Sequence, residues 1–278
     1  MRIGIFAKTF PRTRLESVLD AVREQSIDCV QFNMSCAGLE PMPDQIPIEL
    51  AERIATACRE RGITMSAVSG TFNMIDRDRE ARKEGLRRLE VLAAACGAMG
   101  TSIITLCTGS FSLKSMWHPH PFNRTAMAYR TLCSSMETAV RIAEKHRVTL
   151  ALEPELSNVI DSARKARRLL NDFDSPRLKV VLDPANLFPT GTLARMGETL
   201  EEAFDLLGPD IVLAHAKDIG SDGGAGHEAA GTGLLDYDLY VRLLRGSGYD
   251  GPLILHSLRE EQVPGCVAFL RGKLAGTM

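Results

Sequence analysis

Eight short apolar runs recur along the 278-residue chain, at 2–7, 28–33, 63–68, 102–107, 149–153, 179–183, 211–215 and 253–257. Each is shorter than a typical helix and often β-branched, which suits a buried, pleated strand. Between them the apolar period becomes helical. Leu15, Val18, Leu19 and Val22 fall at i, i+3, i+4 and i+7, as do Tyr129, Leu132, Cys133 and Met136, and Leu200, Ala203, Phe204 and Leu207. Such stripes face a core, with charged residues such as Arg141, Glu144 and Lys145 on the opposite side. Eight strand–helix units are the number that closes a parallel sheet on itself. The sequence therefore predicts one α/β domain over residues 1–278, a (β/α)8 TIM barrel. An open doubly wound sheet is the alternative. It has fewer units and usually a glycine-rich first turn, and no G-x-G-x-x-G follows the first run.

The last four runs each end on a residue type that binds metal ions. Thr149-Leu-Ala-Leu precedes Glu153, Lys179-Val-Val-Leu precedes Asp183, Ile211-Val-Leu-Ala precedes His215, and Pro252-Leu-Ile-Leu precedes His256. Such groups are costly to bury unless they are paired or coordinated. Proline follows both Glu153 and Asp183 and holds each in the extended region. A strand-end carboxylate can instead cap the next helix, and a lone core histidine is usually satisfied by a carbonyl. Four such residues at one end of one sheet point to a shared site. The expectation is one divalent ion held by Glu153, Asp183, His215 and His256. Carboxylates and imidazoles without a thiolate suit Mn²⁺, Co²⁺, Zn²⁺, Fe²⁺ or Mg²⁺, and two histidines tilt the set away from Mg²⁺. Lys217 continues the strand alternation and should point to the same side as His215, toward an anionic substrate group or an ion pair.

Composition narrows the partners. A formal charge of −2 gives no reason to expect nucleic acid or an anionic membrane. Seven scattered cysteines without a C-x-x-C pair fit reduced, mostly buried thiols in the cytoplasm. The opening Met1-Arg-Ile-Gly-Ile-Phe-Ala-Lys8 is too quickly polar for a signal peptide. The uncharged stretch 91–107 is broken by Gly97, Gly100, Thr101 and Ser102, so it reads as helix end, turn and strand, not a membrane span. The oligomeric state is left open, a homo-oligomer included.

Two long loops follow the fourth and seventh strands, which places both at the C-terminal face of a barrel. One runs from Thr108 to about Asn123 and holds Trp117-His-Pro-His-Pro121; the other runs from Asp218 to Gly233 and is rich in glycine. Trp117, His118 and His120 are candidates to close over a substrate, and the glycines to cradle a phosphate with backbone N–H groups. A plain ordered loop and a plain glycine loop are the alternatives. Lys8, Gln31, Asn33, Thr71 and Asn73, at the ends of the first three strands, offer donors and acceptors for sugar hydroxyls or serve local turns. His227 adds a further candidate.

The series Glu153, Asp183, His215, together with His215-Ala-Lys-Asp218, Gly231-Thr-Gly-Leu-Leu-Asp236 and Gly248-Tyr-Asp-Gly-Pro-Leu-Ile-Leu255, resembles the xylose-isomerase-like barrel superfamily. Its sugar-phosphate isomerase/epimerase branch is the nearest in pattern. The resemblance implies one divalent metal held by Glu, Asp, His and a final Glu, with the two glutamates transferring protons, which assigns proton transfer here to Glu153 and His256. Position 256 is His where that family has Glu, and Asn186 stands where related ketose epimerases often bind substrate with His. The expected activity is metal-dependent isomerisation or epimerisation of a small sugar, polyol-derived ketose or sugar phosphate through an enediolate. A sugar-acid or inosose-type dehydratase is the alternative on the same site. An endonuclease IV-like phosphodiesterase ranks lower, because it needs more metal ligands on the second to fourth strands. A chain that keeps a metal only for structure ranks lowest.

The single tryptophan makes the lid expectation measurable. Binding of a substrate or polyol analogue should change Trp117 emission, and Trp117→Ala should lose turnover at unchanged metal content. Constant emission at saturating ligand, with unaltered kinetics in the variant, would leave this loop as ordinary surface.

Overall fold

The computed structural model describes residues 1–223 and 226–276. Eight parallel strands form the barrel: β1 (Arg2–Phe6), β2 (Cys29–Phe32), β3 (Thr64–Ser69), β4 (Ile103–Leu106), β5 (Thr149–Leu152), β6 (Leu178–Leu182), β7 (Ile211–Asp218) and β9 (Pro252–Leu255). Each pairs with its neighbour in sequence, β7 pairs with β9, and β9 pairs with β1 through Arg2↔Pro252 to Ile5↔Leu255. The ring is closed, so the barrel has no exposed edge. β8 (Glu228–Ala229) is an addition that the sequence did not signal. It pairs antiparallel with the end of β7 through Lys217↔Ala229 and Asp218↔Glu228. That ribbon carries β7 three residues past the expected end at 215.

Among the described residues, eight α-helices cover the outside: α1 (Leu15–Glu24), α2 (Ile48–Glu60), α3 (Arg79–Met99), α4 (Ala126–His146), α5 (Ala163–Phe173), α6 (Met196–Leu207), α7 (Tyr237–Gly246) and α8 (Val263–Gly276). The predicted stripes face inward: Leu15, Val18, Leu19 and Val22 on α1, and Leu200, Ala203, Phe204 and Leu207 on α6, are buried. On α4, Leu132 and Met136 are buried and Tyr129 and Cys133 half-buried. Residues 91–107 form the end of α3, a turn through Gly100 in the left-handed region, and β4. No helix among the described residues is long and apolar enough to cross a membrane. Six of the seven cysteines are buried and Cys133 is half-buried, all as free thiols.

Two cores result from the strand period of two. The larger lies between strands and helices. The smaller fills the barrel interior with Phe6, Ala67, Ala151, Val181, Leu213 and Ile254. The next residue of the same parity, two positions on, is the one that decides the chemistry: Glu153 after Ala151, Asp183 after Val181, His215 after Leu213, His256 after Ile254. The strand phase therefore delivers four predicted residues to the C-terminal mouth of one apolar plug.

The loop after β7 is anchored by Asp218. Its Oδ1 accepts from the N–H groups of Ile219 and Leu235, each at 2.9 Å, and its Oδ2 accepts from Gly231 N–H at 2.9 Å. The carboxylate is buried, and a Cβ on Gly233 would come within 2.5 Å of its Oδ1, so glycine is required there. The glycine-rich stretch at Gly224 and Ala225, part of the candidate phosphate cradle, lies outside the described residues. Asp218→Ala should lower stability by at least about 2 kcal/mol in denaturant titrations, because two buried donors and a third, part-buried one lose their acceptor. A loss below about 0.5 kcal/mol would mean that the loop does not depend on this anchor.

Candidate active site

A cavity of about 530 Å³ opens at the C-terminal mouth, within the range of roughly 300–1,000 Å³ usual for small-molecule sites. Its walls include Lys8, Asn33, Thr71, Trp117, Glu153, Asn186, Lys217, His227 and His256. Asp183 and His215 lie beneath Glu153 and Lys217, each 1% exposed. Three predicted residues belong elsewhere. Asn73 stitches two loops together, with its Oδ1 accepting from Ser110 N–H at 3.1 Å and its Nδ2 donating to Ser110 O at 2.8 Å. His120 accepts from Phe122 N–H at 3.2 Å and caps the turn Pro121–Arg124. His118 is exposed, with its Nδ1 at 3.0 Å from Pro119 O. Proline-ordered local bonding holds both imidazoles, and the cavity lining from that loop is Met116 and Trp117.

Asp183 combines two roles. Its Oδ1 accepts from Ala185 N–H at 3.0 Å and caps the turn Pro184–Asn186. Its Oδ2 faces the site, 2.6 Å from Lys217 Nζ and 3.2 Å from His215 Nδ1. Glu153 Oε1 lies 3.4 Å from both His215 Nδ1 and Lys217 Nζ and accepts from Asn186 Nδ2 at 2.8 Å. His215 Nε2 is 2.9 Å from Gln31 Oε1, and Gln31 Nε2 donates to Thr105 Oγ1 at 3.4 Å. Lys217 thus points to the same side as His215, as strand alternation requires.

The electrostatics follow from burial among these partners. Burial alone would raise Asp183, but Lys217 and His215 hold it well below the usual carboxylate range. Burial would lower His215 and Lys217, and the two carboxylates outweigh it, so both are raised. Glu155 is buried and lines the cavity; burial, with Glu153 close by, pushes its carboxyl up to about 7. Its Oε2 accepts from Ser157 N–H at 2.9 Å and Asn158 Nδ2 at 2.8 Å.

His256 stands in a stack. Its ring lies 4.8 Å from Phe6 at an interplanar angle of 9° and 4.8 Å from His215 at 27°. Lys8 Nζ lies over the outer end of this column, 5.6 Å from the Phe6 centroid. His256 Nδ1 is 3.0 Å from Ser257 Oγ, and Ser257 turns the chain with φ of 56°. Burial, together with Lys217 and His215, keeps His256 well below the usual histidine range and hence neutral. The neighbouring ring faces leave its edge as the approach from the cavity.

The donor set suits a divalent ion. One ligand atom each from Glu153, Asp183 and His215 lie within 4.8 Å of one another, and this is the one such group of three among the described residues. With Nε2–H donated to Gln31, a neutral His215 carries its lone pair on Nδ1, the atom turned toward both carboxylates. His256 lies outside that group. Ser69, Thr105 and Glu155 line the cavity and escaped the sequence reading. Each belongs to an inward-facing series whose parity gives the signal: Ala67, Ser69, Thr71; Ile103, Thr105; Ala151, Glu153, Glu155.

Residues 19–271 match the family model described as xylose isomerase-like TIM barrel, and the chain belongs to that family. A ketose 3-epimerase from Arthrobacter globiformis is 24% identical over 280 residues, covering 95% of this chain and 86% of that one. Among solved structures, a D-tagatose 3-epimerase-like protein superposes with a TM-score of 0.79 at 16% identity, covering 100% of this chain and 98% of the other. The 3-keto-D-glucoside 4-epimerase of E. coli, in its apo form, gives 0.73 at 18%, with 98% and 99% covered. The IOLI protein, whose crystal structure holds a zinc atom, gives 0.73 at 15%, with 100% and 99% covered.

His256→Ala should weaken metal affinity or turnover at least about tenfold, or about 1.4 kcal/mol. His256→Glu should retain the ion. Unchanged kinetics and metal content in His256→Ala would reduce the residue to a packing element.

Proposed function

We propose that the protein is a divalent-metal-dependent epimerase or isomerase of a small sugar, polyol-derived ketose or sugar phosphate, acting through an enediolate. The observation that carries this reading is the Glu153, Asp183 and His215 group at the floor of a cavity walled by amides and hydroxyls. Glu153, Asp183 and His215 would hold the ion, which when bound supplies Lewis-acid stabilisation of negative charge developing on substrate oxygens. Glu153 is the proton acceptor, steadied by Asn186 Nδ2 at 2.8 Å. His256, neutral and open at its edge, supplies a second proton-transfer group. General acid–base help of this kind is worth roughly 10²–10⁴-fold. Asn33, Thr71, Asn186 and His227 are placed on the wall to orient hydroxyl groups. Trp117 and Met116 sit on the wall to limit water access. The epimerase relatives support the reaction class, and the zinc-bound neighbour supports the ion.

Two measurements test this. Elemental analysis should find about one divalent ion per chain in the wild type and a clear loss in Asp183→Ala. Incubation with a panel of ketoses and their phosphates in D₂O should place deuterium on the carbon beside the carbonyl. Equal metal content in the two proteins would overturn the ligand assignment. A 2-deoxy-keto product would assign a dehydratase, and no exchange with any ketose would remove the enediolate reading.

A further inference from the structure

Lys217 bonds to the same two oxygens that the candidate ligand atom of His215 faces. Its Nζ is 2.6 Å from Asp183 Oδ2 and 3.4 Å from Glu153 Oε1, and His215 Nδ1 is 3.2 and 3.4 Å from those two atoms. The lysine side chain is 8% exposed and that of Asp183 is fully buried. A buried carboxylate pair needs a cation within reach, and here the sequence itself provides one. An ammonium and a divalent ion cannot share these oxygens without strong mutual repulsion in so dry a site. Lys217 also lines the cavity, so its flexible four-carbon stem gives the ammonium a direction in which to leave.

We infer that Lys217 is a built-in substitute cation. Its single charge offsets part of the negative charge of Glu153 and Asp183 when no metal is bound, and it exchanges with the ion, swinging into the cavity when the ion enters. The inference rests on the metal site proposed above. It adds that this chain folds with a cation against its two carboxylates in either state. The ammonium then becomes available to a negatively charged substrate oxygen only after the ion has entered.

Mn²⁺ titration calorimetry and thermal melting of chelator-treated wild type and Lys217→Met test the exchange. The variant should bind Mn²⁺ at least about tenfold more tightly, because its competitor is gone. Its melting temperature should fall below that of wild type in chelator and rise more on adding Mn²⁺. A variant that folds only with Mn²⁺ would support the inference equally. The second measurement uses unaltered protein: acetic anhydride labelling of Lys217, read by mass spectrometry, should increase several-fold when Mn²⁺ is bound. Mn²⁺ binding of equal or lower affinity in a folded variant, or labelling of Lys217 that does not rise with Mn²⁺, would overturn the exchange while leaving the metal site intact. Wild type and variant that both bind no Mn²⁺, Co²⁺ or Zn²⁺ would overturn the metal site and the exchange together.

Discussion

Two carboxylates turned into one dry end of a barrel cannot both keep their charge without positive groups between them. The arrangement around Glu153 and Asp183 follows from that demand. Lys217 reaches them because β7 runs on to Asp218, and β7 runs on because β8 pairs with its last two residues. Asp218, the last residue of β7, then gathers three backbone N–H groups and folds the loop that carries Gly226 and His227 to the cavity. Gln31 reaches across from β2 to take the far nitrogen of His215, which leaves the near one for the acids.

Much of this is legible in the chain. Every strand of the closed barrel lies inside a predicted apolar run apart from the extension of β7, the last residue of β3 and the first residues of β6 and β9, because a strand buried on both faces leaves a continuous apolar signature. Glu153, Asp183, His215 and Lys217 converge as strand phase requires. What stayed hidden has physical causes. β8 is two residues long and has no apolar run of its own. Ser69 and Thr105 look like ordinary strand residues until their parity is counted against Ala67 and Ile103. Asn73, His118 and His120 have the chemistry of ligands, yet backbone groups claim them first, those of a neighbouring loop for Asn73 and those of their own turn for the two histidines.

Position 256 shows how a single residue type alters a site without dismantling it. A glutamate there would add a third negative charge to a floor that already holds two; the histidine adds none and is fastened by its faces instead of by its charge. The family relationship fixes the architecture.

The column of Lys8, Phe6, His256 and His215 has a consequence for anyone seeking to block the site. Planar aromatic fragments commonly gain affinity by lying flat on an imidazole, and this imidazole already has a ring on each side. A ligand that engages His256 must meet it edge-on, with a single polar atom held in the plane of the ring. Scaffolds that depend on face-to-face stacking with this imidazole are therefore poor starting points, whereas a hydroxyl or ring nitrogen held in its plane uses the approach that the stack leaves open.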